Sequence, residues 1–149
     1  MKQSKLLFAL ISMVLLSCSS TQKPDNTKPM YGEVPKSEQY KQVDEDFKKQ
    51  CIEYYGTIHN AVQAHIEFGW DYFLNNDVTT AMKRFNQAWL LDAEYPDSYF
   101  GFAALMEVQG NKIEAERFYK IGNEKDTTKE RAIICYQRIA ECKDKLKSQ

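Results

Sequence analysis

Four cysteines and two histidines are the side chains of this chain best suited to nucleophilic or metal chemistry. His59 and His65 are six residues apart, so they point to different sides of a helix and lack the i, i+4 spacing of a helical zinc pair. Cys51, Cys135 and Cys142 contain no C-x-x-C pair, and their odd number does not indicate a disulfide framework. We therefore predict no metal site, and we interpret these three cysteines as small buried hydrophobic residues.

Motifs of enzyme active sites are missing from the sequence. It contains no G-x-S-x-G, no H-E-x-x-H and no glycine-rich phosphate loop, and no cysteine and histidine that can be placed with a third catalytic group. Its carboxylates are scattered along expected helix faces, whereas general acid and base catalysis needs two of them in one cleft. The sequence therefore predicts neither catalysis nor a cofactor.

The fourth cysteine, Cys18, follows a segment typical of an export signal. Lys2 and Lys5 form a positively charged start, and Leu6 to Leu16 form an apolar run that is too short to cross a bilayer as a helix. The residues Leu15-Leu16-Ser17-Cys18 resemble the lipobox of bacterial lipoproteins. That resemblance implies cleavage before Cys18, lipidation of its thiol and often of its new amino group, and stable membrane anchoring by the acyl chains.

The alternative to a lipoprotein signal is an ordinary secretory leader in which the cysteine occurs by chance.

After Cys18, the polar residues 19–35 are rich in Ser, Thr, Lys, Asn and Pro and indicate a flexible tether. Ser19 differs from the aspartate that retains some lipoproteins at the inner membrane, so the resemblance favours the outer membrane of a Gram-negative cell. The leader carries two of the 20 basic residues and none of the 21 acidic ones, so the remainder is slightly acidic and offers no basic face for nucleic acid.

After residue 36, apolar residues recur mainly at helical spacing. No stretch alternates apolar and polar residues for long enough to indicate a strand. The sequence predicts an all-α fold whose helices cover residues 37–55, 57–74, 78–91, 98–108, 112–123 and 128–145. Ser37 is expected to cap the first helix, and Asp77 or Thr79 the third. Capping boxes are expected at Asn111 with Glu114 and at Thr127 with Glu130.

Residues 62–95 and 96–129 read as one segment written twice. Large residues pair with large ones and small with small, as shown by His65 with Tyr99, Phe68 with Phe102, Gly69 with Ala103, Ala81 with Ala115, Phe85 with Tyr119 and Ala88 with Gly122. A fixed period of this length indicates helix pairs that bury their apolar faces by stacking on one another.

The spacing of these sites resembles the tetratricopeptide repeat. This resemblance implies a short α-solenoid of about six helices, in which the end helices act as caps. The predicted organisation is a signal peptide at 1–17, a lipidated cysteine and tether at 18–36, an N-terminal helix at 37–61, two repeats at 62–129 and a capping helix at 130–149.

In the tetratricopeptide family, the first helix of each pair lines a concave groove that binds protein. Carried over position by position, the resemblance implies a partner-binding surface at Gln63, Ile66, Trp70, Phe73, Leu74, Asp97, Phe100, Glu107, Arg131, Ile134 and Arg138. Aromatic and arginine residues of this kind contribute much of the energy of an interface. The alternative is that the N-terminal helix or the tether folds across Trp70 and Phe73, which would make both residues part of the core.

The function expected from these features is a lipid-anchored, non-catalytic adaptor that binds a protein or peptide partner in the bacterial cell envelope. One alternative is a pilotin-like or assembly factor for an outer-membrane complex. A second alternative is a regulatory subunit of an enzyme that acts on cell wall or glycan.

Overall fold

The computed structural model describes residues 22 to 147. The predicted leader and Cys18 lie outside the described residues. Within them the fold is all-α, which confirms the predicted class. The elements are a short turn at Pro29–Gly32 followed by α1 (Glu38–Tyr55), α2 (Ile58–Leu74), α3 (Val78–Leu91), α4 (Pro96–Val108), α5 (Lys112–Lys125) and α6 (Glu130–Lys147). Across these residues, no helix has both the length and the apolar character needed to span a membrane.

Most helix starts follow the predicted caps. Side-chain oxygens of Ser37, Asp77 and Asn111 each accept a hydrogen bond from a backbone N–H in the first turn of the next helix. The start of α6 differs from the prediction, since buried Asp126, not Thr127, accepts hydrogen bonds from the backbone N–H groups at 128, 131 and 132. A carboxylate can take several such bonds, and α6 consequently begins at Glu130.

Helices α2 and α3 form one packed pair, and α4 and α5 form a second. Each pair is joined by a three-residue turn, which reverses the chain direction. The two turns share one geometry, because Asn76 and Gly110 both have left-handed backbone angles, with φ of 61° and 78°. The residue after each of these donates its backbone N–H to a carbonyl oxygen in the last turn of the preceding helix. Asp77 donates to Tyr72 O and Asn111 donates to Met106 O, both at 2.9 Å. The repeat period is therefore present in the turns as well as in the sequence.

Phe85 is the centre of the core, fully buried between α2 and α4. A Cβ atom added at Gly69 would lie 2.5 Å from its ring, and one added at Gly101 would lie 2.4 Å from it. These two glycines let the helices approach the ring from both sides. The sequence predicted a small residue at position 69, but it did not single out position 101.

Residues 25–33, which fall within the predicted tether, fold against α3 and α5. The side chain of Asn86 on α3 is fully buried and donates to the backbone oxygens of Asn26, at 3.2 Å, and Lys28, at 2.8 Å. Glu33 forms a two-bond ion pair with Arg117 on α5, at 2.6 and 2.7 Å. Such fixed contacts are not expected of a flexible tether, and sequence reasoning singled out neither the buried amide of Asn86 nor the ion pair of Glu33 with Arg117.

Candidate functional site

A cleft of about 500 Å³ lies between α2, α4 and α6. Its lining combines an apolar floor with charged side chains near the mouth. The lining residues are Gln63, Ile66, Glu67, Trp70, Tyr95, Asp97, Phe100, Thr128, Glu130, Arg131, Ile134, Cys135 and Arg138. Most of the residues predicted for the partner-binding surface therefore come together in one place: Gln63, Ile66, Trp70, Asp97, Phe100, Arg131, Ile134 and Arg138.

Helix α6 forms one wall of this cleft because two cysteines allow it to pack closely on the neighbouring helices. The thiol of Cys135 faces the backbone oxygen of Phe100 on α4, and the thiol of Cys142 faces that of Phe73 on α2, both at 3.6 Å. Cys51, Cys135 and Cys142 are all buried and unpaired, which confirms their interpretation as small buried residues. The small side chains of Cys135 and Cys142 let the backbone of α6 lie close to the backbones of α4 and α2.

The floor of the cleft consists of Ile66, Trp70 and Phe100, whose exposed fractions are 2%, 3% and 1%. Trp70 packs edge-on against Phe73 and Phe85, with ring centroids 5.5 and 5.2 Å apart. The floor therefore belongs to the core and only borders the cleft. Neither α1 nor residues 25–33 cover it, because α6 provides the burial.

Two arginines from α6 stand over aromatic rings at the cleft. The guanidinium of Arg138 lies 5.2 Å from the ring centroid of Trp70, and that of Arg131 lies 4.5 Å from the ring of Tyr95. Arg138 also contacts the carboxylate of Glu67 at 3.2 Å, but the Glu67 side chain is 62% exposed. An ion pair with so exposed a partner contributes little, so the Arg138 guanidinium can exchange this partner at small cost.

The second arginine is held more firmly. Arg131 donates to Asp97 Oδ2 and to the hydroxyl of Tyr95, both at 2.8 Å. Burial raises the pKa of Asp97, although the hydrogen bond and charge of Arg131 act in the opposite direction. The other carboxylate oxygen, Asp97 Oδ1, is buried and has no hydrogen-bond donor among residues 22–147. This oxygen has almost no accessible surface, so the carboxylate of Asp97 serves to hold Arg131 in place.

Three residues predicted for the partner surface lie outside the cleft. Phe73 is fully buried beneath α6, and Leu74 is half-buried at the end of α2. Glu107 lies near the end of α4, where it accepts hydrogen bonds from Tyr119 and Lys143. The close approach of α6 at Cys142 covers this end of the predicted groove, which explains why the surface is shorter than the family pattern implies.

Five lining residues were not predicted for the surface: Glu67, Tyr95, Thr128, Glu130 and Cys135. Glu67 follows Gln63 by four positions on α2, so it lies on the same helix face, and this spacing was a signal available in the sequence. Tyr95 precedes α4 in a turn, where no periodicity applies. Tyr95 lines the cleft because its hydroxyl accepts a hydrogen bond from Arg131 on α6, a residue distant in the sequence.

A buried cysteine and histidine meet away from the cleft. Cys51 Sγ lies 3.8 Å from His65 Nε2, a pairing across α1 and α2 that sequence reasoning did not find. Burial raises the pKa of the Cys51 thiol and lowers the pKa of His65 to about 4. Both side chains are therefore held neutral, whereas an activated nucleophile needs a thiolate. The histidine is a core residue, as its place in the repeat predicted.

This histidine gives the protein a pH-dependent stability. The unfolded chain takes up a proton near pH 6.5 and the folded chain only near pH 4, so acid favours the unfolded state. We expect the free energy of unfolding to fall as pH decreases from 6.5 towards 4, with a slope of at most about 1.4 kcal/mol per pH unit. Denaturant titrations at several pH values test this.

The slope is expected to disappear in His65→Gln and to persist in His59→Gln, because His59 is exposed. An unchanged slope in His65→Gln would contradict the assignment. Comparing slopes separates the protonation of His65 from any loss of packing, which shifts stability equally at every pH.

Residues 22–147 contain no group of three His, Cys, Asp or Glu side chains arranged to hold a metal ion. Comparisons of the chain with protein-family models, curated proteins and solved structures give no match. The geometry of the cleft is therefore the basis for a functional assignment.

Proposed function

We propose that this protein is a non-catalytic binding module of the bacterial cell envelope, anchored by lipid at Cys18, that holds a segment of a partner protein in the cleft between α2, α4 and α6. The observation that carries the proposal is the position of Arg138, whose guanidinium stands over the ring of Trp70 at the cleft and whose ion-pair partner Glu67 is 62% exposed. The likeness to tetratricopeptide repeats and to the lipobox supports the class of protein and its location.

The chemistry of the cleft defines what the partner must offer. Arg138 is positioned for a carboxylate, because a guanidinium and a carboxylate can form two parallel hydrogen bonds. A volume of about 500 Å³ is in the range of small-ligand pockets, so it accommodates a short peptide segment and not a folded domain. The expected ligand is therefore a short peptide segment that presents one carboxylate to Arg138.

The test uses the lipidated protein as bait in detergent-solubilised envelope, with wild type and Arg138→Ala compared side by side. We expect Arg138→Ala to weaken partner capture about tenfold, the usual scale for a central arginine of an interface. Ile134→Asp, which places a charge on the exposed part of the cleft wall, should have a similar effect. Lys83→Ala is the matched control, since Lys83 is exposed on α3 away from the cleft.

Equal capture by wild type, Arg138→Ala and Ile134→Asp would exclude the cleft as the binding site. Trp70 and Phe73 are unsuitable for this test because both are buried, so their substitution changes folding. The identity of the captured protein then distinguishes an adaptor from the alternatives. An outer-membrane component that is mislocalised without this protein indicates an escort role, and a wall or glycan enzyme indicates a regulatory subunit.

A further inference from the structure

The repeat period assigns a place in the stack to the two end helices. Helix α4 begins at Pro96 and helix α6 at Glu130, a separation of one full repeat, so α6 takes the place of the first helix of a third pair. Helix α1 precedes α2 as α3 precedes α4, so α1 takes the place of the second helix of an earlier pair. Within residues 22–147, neither end helix has the partner with which its counterparts are paired.

The unpaired side of α6 is apolar and exposed. Ile133 is 59% exposed, whereas Tyr99, its counterpart in the preceding repeat, is 6% exposed. Tyr136 is 52% exposed, whereas its counterpart Phe102 is fully buried. Tyr119 on α5 packs on Tyr136 with ring centroids 5.3 Å apart, which enlarges the patch. We call this surface the α6 end face.

The unpaired side of α1 has the same character. Val43, Phe47 and Tyr54 recur at helical spacing, so they form one stripe along α1. Val43 is 59% exposed and Tyr54 is 83% exposed, while Phe47 packs partly against His65. Residues 25–33 fold on α3 and α5 and leave this stripe open. We call it the α1 end face.

Residue sizes on the two end faces complement each other in the register of the repeat. In both complete pairs, a large residue at the eleventh position accompanies alanine at the twentieth, as Tyr72 with Ala81 and Met106 with Ala115. At the ends this order is reversed, because the eleventh position on α6 is Ala140 and the twentieth on α1 is Phe47. If α6 of one copy packs on α1 of another, Ala140 and Phe47 again supply one small and one large residue. The large residue is then on the second helix of the pair and the small residue on the first.

We propose that the α6 end face of one copy of this chain binds the α1 end face of the next copy. The contact places α1 of the second copy where the period requires the partner of α6, and it extends the alternation of helices from one copy to the next. Because two different surfaces meet, the contact is heterologous and leaves one free end face of each kind. The proposal concerns surfaces outside the cleft and does not depend on the proposed function.

The test measures the mass of the full chain in detergent by sedimentation velocity over a range of concentrations. Wild type is expected to form dimers and larger species as concentration rises. Tyr54→Asp blocks the α1 end face and Tyr136→Asp blocks the α6 end face, so each variant alone is expected to self-associate at least tenfold more weakly. An equal mixture of the two variants is expected to form dimers only, since each variant retains the end face that the other has lost.

Ile113→Asp is the matched control, because Ile113 is an exposed apolar residue of α5 outside both end faces, and it should assemble as wild type does. Both tyrosines are exposed, so helical circular dichroism and thermal midpoints should be unchanged; if either charged variant unfolds, Tyr54→Ala and Tyr136→Ala replace them. A wild-type protein that stays monomeric up to its solubility limit overturns the proposal. Dimers formed by one variant alone would also overturn it, because they require like surfaces to meet.

Discussion

Gly101→Ala is expected to destabilise the protein by about 2 kcal/mol, a large effect for one methyl group. The added Cβ would lie 2.4 Å from the ring of Phe85, which is closer than carbon atoms can approach without displacement. The ring cannot move away, because Gly69 places the α2 backbone on its other side. Chemical denaturation of wild type and Gly101→Ala measures the difference in unfolding free energy.

A double-mutant cycle shows whether the ring is the cause. Phe85→Leu alone should destabilise the protein by leaving a cavity. In the Gly101→Ala background it should cost much less, because the smaller side chain gives the new methyl group room. Strictly additive effects would mean that Gly101 is needed for a reason other than its contact with Phe85.

Asn86→Leu is expected to lower stability by about 2 to 3 kcal/mol and to release residues 25–31 from α3. The substitution keeps the side-chain volume but removes both the donor and the acceptor of a buried side chain, so the backbone oxygens of Asn26 and Lys28 lose their partner on α3. Chymotryptic cleavage after Tyr31, whose N–H bonds to Asn86 Oδ1 in the wild type, should become much faster under native conditions. Hydrogen exchange of the same residues gives a second measurement.

Lys120→Ala is the control for this substitution. Lys120 is the counterpart of Asn86 in the second repeat, where the side chain is exposed and no segment docks. It should leave both stability and cleavage unchanged. Protection of Tyr31 from chymotrypsin that survives in Asn86→Leu would show that the ion pair of Glu33 with Arg117 is sufficient to hold the segment.

Local signals in the sequence predicted most of the helices correctly. Caps such as Ser37 and Asp77 act on backbone groups within a few residues, so their effect can be read without knowing the fold. The same is true of the repeat, because Asn76 and Gly110 occupy equivalent turns that differ little in geometry. The prediction was wrong at the start of α6, where Asp126 competed successfully with Thr127 for the free N–H groups.

The position of α6 across the groove was not predictable from local signals. It depends on the close contacts of Cys135 and Cys142 with backbone oxygens on two other helices, and residue type alone does not reveal such partners. Asn86 is a similar case, since an amide in a helix usually indicates a solvated face. The side chain of Asn86 is buried because residues 25–33 fold back over α3.

If Cys18 carries the lipid that we propose, the docked segment also limits the height of the domain above the membrane. A flexible tether to residue 36 would let the domain stand well away from a lipid on Cys18, but fixed structure already begins at Asp25. The chain from Cys18 to Pro24 can extend by at most about 25 Å. Under the proposed lipid anchor, the domain would stay close to the lipid surface, and a partner for its cleft would have to be at the membrane or extend a segment down to it.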